Sequence, residues 1–390
     1  MGRVAAACLA SGMLIGLAGI SLPVAAASAS SAVPRAVNAT ASSSVRTNAT
    51  DVAAGSCPTA TGTLHMAFIY NETDEDPFEE MAMGAAYAAT TSPNVDLQEE
   101  APPTNDPPTE VSDFESVIQT AKNGIAYETI TPSLWPRPLN QASAAGIPLV
   151  AVDTPAPSGT NVPLFVGNSN FNVGYILGKA FVKAVKAKHL NTHGQVVLGN
   201  DVPSLIVLIN RLKGVEAAIK KGLPHMQIVG PLATEGQAQS QDYASWSAVV
   251  SSHPSAVGFV GVGADEGVSL PLIQTRQHRH FLAGSADVPY AALKSIKNGQ
   301  LFALSSPEHW LKGYVAMEEL IHSARTCTPL PSGFWNPGNL LMTKANINQM
   351  LIRQKNATTR AAWYQKHDVK AILADVKNPS KILKPMSDAN

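Results

Sequence analysis

Acidic side chains in this 390-residue chain recur directly after short apolar runs. Asp76, with Phe78 two residues on, follows LHMAFIY; Asp153 ends LVAVD; Asp265 follows GFVGVGA; and Asp287 follows FLAGSA. A carboxylate in such a place accepts hydrogen bonds from two hydroxyl donors, and a guanidinium supplies a planar fork of donors. Arg211, inside the apolar run LIVLINRLKG, could deliver that fork to a cleft. Trp135 in TPSLWPRP and Trp310 in SPEHWLKG stand in turn-rich settings, where an indole can stack on the C–H face of a sugar ring, whereas Trp246 in YASWSAV has the spacing of a covered helix position. Together these residues point to recognition of a small, hydroxyl-rich molecule.

Each carboxylate also has a structural reading. Asp153 suits a turn before TPAP, and Asp265 and Asp287 suit helix caps; Arg211 could cover apolar surface with its stem and leave its head in water. The stretch NETDEDPFEE (71–80) is the densest acidic cluster, in a chain of which only 15% is charged. Asp74 and Asp76 lack the regular oxygen ligands of a calcium loop, so most of this stretch reads as a solvated loop.

The apolar runs alternate with helix-patterned segments. LHMAFIY, VDLQEEA, GIAYETI, IPLVAVD and PLFVGN read as strands, and Phe78, Met81, Ala85 and Ala88 fall at roughly helical spacing between the first two. The alternation continues through QVVLGN, MQIVG, AVGFVGVG and HFLAG. Strands separated by crossover helices specify parallel sheets covered on both faces. Their number calls for two doubly wound α/β lobes, with ligands expected beyond the carboxyl ends of the strands.

Residues 1–29 carry one early Arg, an apolar run and then small residues, the pattern of a signal peptide, and export is expected in preference to a retained anchor. Cys8 lies too early for an ordinary lipid-attachment site. Residues 30–61, rich in Ala, Ser, Thr and Val, read as a flexible spacer. Beyond the leader only Cys57 and Cys327 remain, either one disulfide or two free buried thiols.

A formal net charge of −1 gives no nucleic-acid footprint. The chain has no GxSxG elbow, phosphate-binding lysine loop, HExxH or paired CxxC motif, and the glycines of GFVGVGADEG lack dinucleotide-binding spacing. No metal, cofactor or catalytic residue is expected. A histidine-based enzyme would require His309 beside Asp153 or Glu308, with a third group orienting it.

The order of MAFIYNETDEDPFEEMAMGAAYAA, AAGIPLVAVDT, NRLKGVEAAIKKG, VGADEGVSLPLIQ and GSADVPYAALKSIKNGQ resembles that of the type I periplasmic solute-binding proteins, in particular the ribose and galactose binding components of ABC transporters. The resemblance implies two lobes joined by a three-segment hinge. One holds 62–167 and 307–341, the other 168–306 and 342–390, with hinge strands near Val166–Asn168, Ser305–Glu308 and Leu341–Lys344. It implies a monomer that binds a monosaccharide or related polyol and presents it to a permease, or that serves a membrane sensor. In the family's Asn-Asn-Pro-Phe-Phe loop, Asp76 takes the place of an asparagine, Phe78 that of the first aromatic and Glu79 that of the second. Asp153 is followed by Thr154 where the family has arginine. Arg211 and Asp287 match binding residues, and Ala264-Asp265 replaces Asn-Asp. Glu79 inside a dry site would need a hydroxyl, Arg211 or a positively charged ligand beside it, which makes an amino-bearing derivative a further candidate.

Overall fold

Apolar runs with both faces covered bury completely as parallel strands, and β3 (Gly124–Glu128), β4 (Leu149–Val152) and β5 (Leu164–Val166) have every residue buried. The structure, a computed structural model, describes residues 57, 59–234 and 238–389; the expected leader and most of the spacer lie outside the described residues. The chain begins with β1 (Leu64–Ile69), α1 (Asp76–Thr91), β2 (Val95–Glu100) and α2 (Pro107–Val117), and α3 (Pro136–Ala144) joins β3 to β4. After β5 follow α4 (Asn170–Ala187), β6 (Gln195–Asn200), α5 (Ile206–Gly222), β7 (Gln227–Ala233), α6 (Gln239–Ser252), β8 (Gly258–Val260), α7 (Glu266–Arg276), β9 (Leu282–Ala286), α8 (Tyr290–Asn298) and β10 (Leu301–Ser306). The last part holds α9 (His309–Thr326), β11 (Gly333–Trp335), β12 (Leu340–Met342), α10 (Ile347–Arg353), α11 (Ala357–Tyr364) and α12 (Lys370–Val376).

The strands form two six-stranded sheets, β11-β5-β4-β3-β1-β2 and β12-β10-β9-β8-β6-β7. The first is parallel throughout; in the second only β12 is antiparallel. In each, the first strand lies inside the second and the order then runs outward, so each sheet has one switch point: between β1 and β3, and between β6 and β8. The α/β fold with two doubly wound, largely parallel lobes is the expected one. Each sheet is covered on both faces. The first lobe has one core under α1 and α9 and another under α2 and α3; the second has one under α4 and α5 and another under α6, α7, α8 and α10.

The chain passes between the sheets at residues 167–169, after β5; at 307–308, after β10; and at 336–339, between β11 and β12. The third passage precedes the expected Leu341–Lys344, because Leu340–Met342 already pairs with β10. The tail also departs from expectation. Ile347 and Met350 pack in the second lobe, but Tyr364, Ile372 and Val376 belong to the first lobe's α1–α9 core. Two short amphipathic helices are too small to bury alone, and this exposed core face accepts them. A disulfide joins Cys57 to Cys327, 270 residues apart, with Cα atoms 5.6 Å apart, and so fastens the start of the described chain to the end of α9.

Candidate functional site

The two switch points face a common cavity between the lobes. Its first-lobe wall comes from the end of the loop after β1 (Glu75) and the first turn of α1 (Pro77, Phe78), and from the loops after β3 (Ile130) and β4 (Asp153). The second-lobe wall comes from the loops after β6 (Asp201, Val202), β8 (Gly263, Asp265) and β9 (Asp287), and from α5, which contributes Arg211. His309, the first residue of α9, closes the back. The cavity measures about 50 Å³, room for one or two waters at about 30 Å³ each. Ile130 packs against cores of both lobes, which are thus drawn together here.

Asp153 and Asp287 occupy equivalent places in the two lobes. Each ends a strand by donating its N–H to the neighbouring strand, Asp153 to Val166 O and Asp287 to Ser305 O, both at 2.9 Å. Each then turns left-handed, with φ of 61° and 58°. Aspartate tolerates this conformation better than most residues. Neither is a cap: α8 has Pro289 at its N-cap, and Asp153 precedes no helix. Asp265 does precede α7, but its side chain makes no cap hydrogen bond.

A buried chain of charges links the two aspartates. Arg211 Nη1 donates to Asp287 Oδ2 at 2.9 Å and to Val262 O at 2.8 Å, while its Nε donates to Asn170 Oδ1 at 3.2 Å. His309 Nε2 donates to Asp287 Oδ1 at 2.6 Å, and its Nδ1 accepts from Lys312 Nζ at 3.3 Å. A carboxylate can only accept and an ammonium only donate, which sets this tautomer. Lys312 also pairs with Asp153. Burial alone would raise the Asp287 carboxyl, but Arg211 and then His309 outweigh it and hold it well below the carboxylate range. Asp153 is lowered likewise, burial being outweighed by Lys312 first. Burial pulls the Lys312 ammonium down despite Asp153.

The expected site residues divide into two groups. Phe78, Asp153, Arg211, Asp265 and Asp287 line the cavity. Asp76, Glu79, Trp135 and Trp310 do not. Glu75 is the N-cap of α1 and faces the cavity, while Asp76, the first helical residue, is exposed. Successive helical residues turn by about 100°, so with Phe78 aimed at the cavity, Glu79 points away and Glu80 is buried against Arg360, 3.2 Å away. Trp135 stacks on Tyr127, with centroids 4.9 Å apart, and meets Phe114 edge-on at 5.0 Å. Trp310 stacks on Tyr364 and Tyr314 at 4.7 and 5.1 Å. Both indoles are core residues, as is Trp246.

Glu75, Asp201 and Lys312 were not among the expected residues, and His309 entered only as the base that a histidine enzyme would need. Asp153 has no arginine after it, and Lys312 from α9 is the cation paired with it. His309 stands beside Asp287 and Lys312, with both ring nitrogens engaged, and the cavity-lining residues include no serine, threonine or cysteine that it could activate. Among the described residues no three acidic, imidazole or thiol groups come together as metal ligands.

A family model described as periplasmic binding protein domain matches residues 66–325. The xylose/arabinose-binding protein XylF of Sulfolobus acidocaldarius is 25% identical over 281 residues, 67% of this chain and 66% of that protein's length, just under two thirds of it. Among solved structures, GanP, a glucose-galactose binding protein from Geobacillus stearothermophilus, is similar with a TM-score of 0.64 at 20% identity, over 73% of this chain and 98% of its own. A solute binding protein of an ABC transporter from Burkholderia graminis, in complex with D-arabinose, gives 0.66 at 19% identity, over 74% and 97%. At such identities these structures bear on the fold.

Proposed function

Because this chain belongs to the periplasmic binding protein family, we propose that it is the extracytoplasmic binding component of an ABC importer, which takes a monosaccharide or related polyol between its lobes and presents it to a permease on closure. The observation that carries this reading is the convergence of both switch points on one cavity, with Arg211 and Asp287 of one lobe facing Asp153 and Phe78 of the other. Carboxylates held ionised accept from sugar hydroxyls, the guanidinium donates to hydroxyl or ring oxygens, and Phe78 covers a C–H face. The names of the similar proteins, for xylose, arabinose, glucose and galactose, agree with this chemistry.

A cavity of about 50 Å³ does not hold a sugar, so the lobes separate to admit one by bending at the segments that pass between the sheets. The ligand's hydroxyls then replace contacts that the charged residues make with one another, and closure becomes a shift of population driven by those bonds. A thermal-shift panel of pentoses, hexoses and polyols tests the reading. A ligand at 100 times its Kd stabilises the folded protein by about 2.7 kcal/mol, and a panel without any rise in Tm would overturn it.

A further inference from the structure

Five carboxylates line the interlobe cavity, and two of them have cations. Asp153 is paired with Lys312, and Asp287 with Arg211. Glu75, Asp201 and Asp265 make no ion pair among the described residues. Glu75 and Asp265 each stand at the start of a helix, yet neither side chain makes a cap hydrogen bond. Asp201 accepts the Val202 amide at 3.0 Å, while its Oδ2 lies against Gly263, whose added Cβ would sit 2.6 Å from it. Glu75 comes from the first lobe and the two aspartates from the second, so closing the cleft brings like charges together across it.

That closure costs electrostatic energy unless something compensates, since carboxylates taken from water need a proton or a cation. Burial first, and then Asp201 and Asp265, push the Glu75 carboxyl well above its ordinary value. Burial and Asp201 push Asp265 up to about 7, and burial pushes Asp201 up to about 6. The cations already in the site are engaged elsewhere: Arg211 by Asp287, Asn170 and the Val262 carbonyl, Lys312 by Asp153.

Building on the sugar-binding reading of this cleft, we propose that the preferred ligand carries a protonated amine, as an amino sugar or aminated polyol does. Its hydroxyls face the Arg211–Asp287 and Asp153 side, and its ammonium sits among Glu75, Asp201 and Asp265. An ammonium offers three donors to three acceptors contributed by both lobes, so the bonds it makes exist only in the closed form. Ligand charge then sets the stability of that form, and a neutral sugar leaves the repulsion across the cleft in place.

Isothermal titration calorimetry tests this with D-glucosamine and D-galactosamine against D-glucose and D-galactose, near pH 6.5, where the amines are protonated. Charge-assisted hydrogen bonds to a desolvated carboxylate predict that the amino sugar binds about tenfold or more tightly than its hydroxyl counterpart. In a Glu75→Gln/Asp265→Asn variant that still unfolds cooperatively, the preference should fall to about threefold or less. Equal or tighter binding of the hydroxyl sugars overturns the amine and leaves the sugar reading standing. A preference that survives intact in the double variant overturns the placement of the ammonium. Failure of both sugar sets, together with a flat neutral panel, overturns the sugar reading and this inference with it.

Discussion

Arg211 shows how much of the site rests on single side chains. It is 2% exposed and donates to three acceptors, so Arg211→Met leaves the equally buried Asp287 with only His309. Removing one partner of a buried pair costs about 3–5 kcal/mol; the retained imidazole puts the expected loss at the lower end, with sugar-induced thermal shifts abolished. Urea titration and the thermal-shift panel read the two effects. Trp135→Ala should behave in the opposite way. Emptying the ring stack costs about 3–5 kcal/mol, while ligand affinity of the folded protein stays within about twofold, because the indole is remote from the cavity. A large loss of affinity in that variant would return Trp135 to the binding wall. Asp153 and Asp287 were legible because each directly follows a parallel strand, and Asp265 because it lies in the loop after β8; Asp201, directly after β6, carries the same signal in the sequence. Glu75 was not, since the choice between it and Asp76 turns on which residue caps α1. The two tryptophans misled because proline-rich and polar surroundings look like surface loops, when each in fact stands at the start of a helix that carries the ring into a core.

Among the elements, α9 does the most to assemble the site. It crosses α1 with backbones in contact: a Cβ on Gly84 would lie 2.0 Å from Trp310 O, and one on Gly313 1.8 Å from Met81 O. This approach sets His309 and Lys312 on the cavity side and Trp310 on the core side of one helical turn. Gly313→Val is therefore expected to force the helices apart, lowering Tm and weakening sugar binding together, which thermal-shift curves with and without sugar would show; an unchanged apparent Kd would mean that α9 tolerates the displacement. Strand and helix alternation was readable from periodicity, since most strands are short apolar runs, with the polar edge strand β2 (VDLQEE) as the exception, and most crossovers bury one face. The docking of α11 and α12 was not, because the receiving surface is built by α1 and α9, far away in sequence. There Tyr364 donates to Glu308 Oε2 and Arg353 Nη1 to the same oxygen, both at 2.8 Å, beside one of the passages between the lobes. Trp363 packs against cores of both lobes.

For the molecule as a whole, the carboxylates divide into two classes with opposite consequences for stability. Asp153 and Asp287 are held below their ordinary values, so what they contribute is present above about pH 4 and lost only in stronger acid. A larger set is pushed up, chiefly by burial: Glu110 and Glu319 to about 8, Glu318 and Asp265 to about 7, Glu128 and Glu266 well above their ordinary value. An acid whose folded value is raised favours the fold fully below its unfolded value, near pH 4, and this contribution fades as pH climbs toward the folded value. Between pH 5 and pH 8 the folded protein therefore holds more protons than the unfolded chain, and stability falls as pH rises. A tenfold difference in proton affinity between the folded and unfolded forms of one carboxyl is worth about 1.4 kcal/mol, and several groups act in the same direction, so the unliganded protein should melt several degrees higher at pH 5 than at pH 8. Calorimetric scans at constant ionic strength measure this directly. A Tm that is flat or rises across that interval would mean that the buried acids are paired or hydrated in solution. An ammonium-bearing ligand reverses part of the trend, because it stabilises the ionised forms of Glu75, Asp201 and Asp265 and so adds most to Tm at the upper end of the range in which its amine stays protonated.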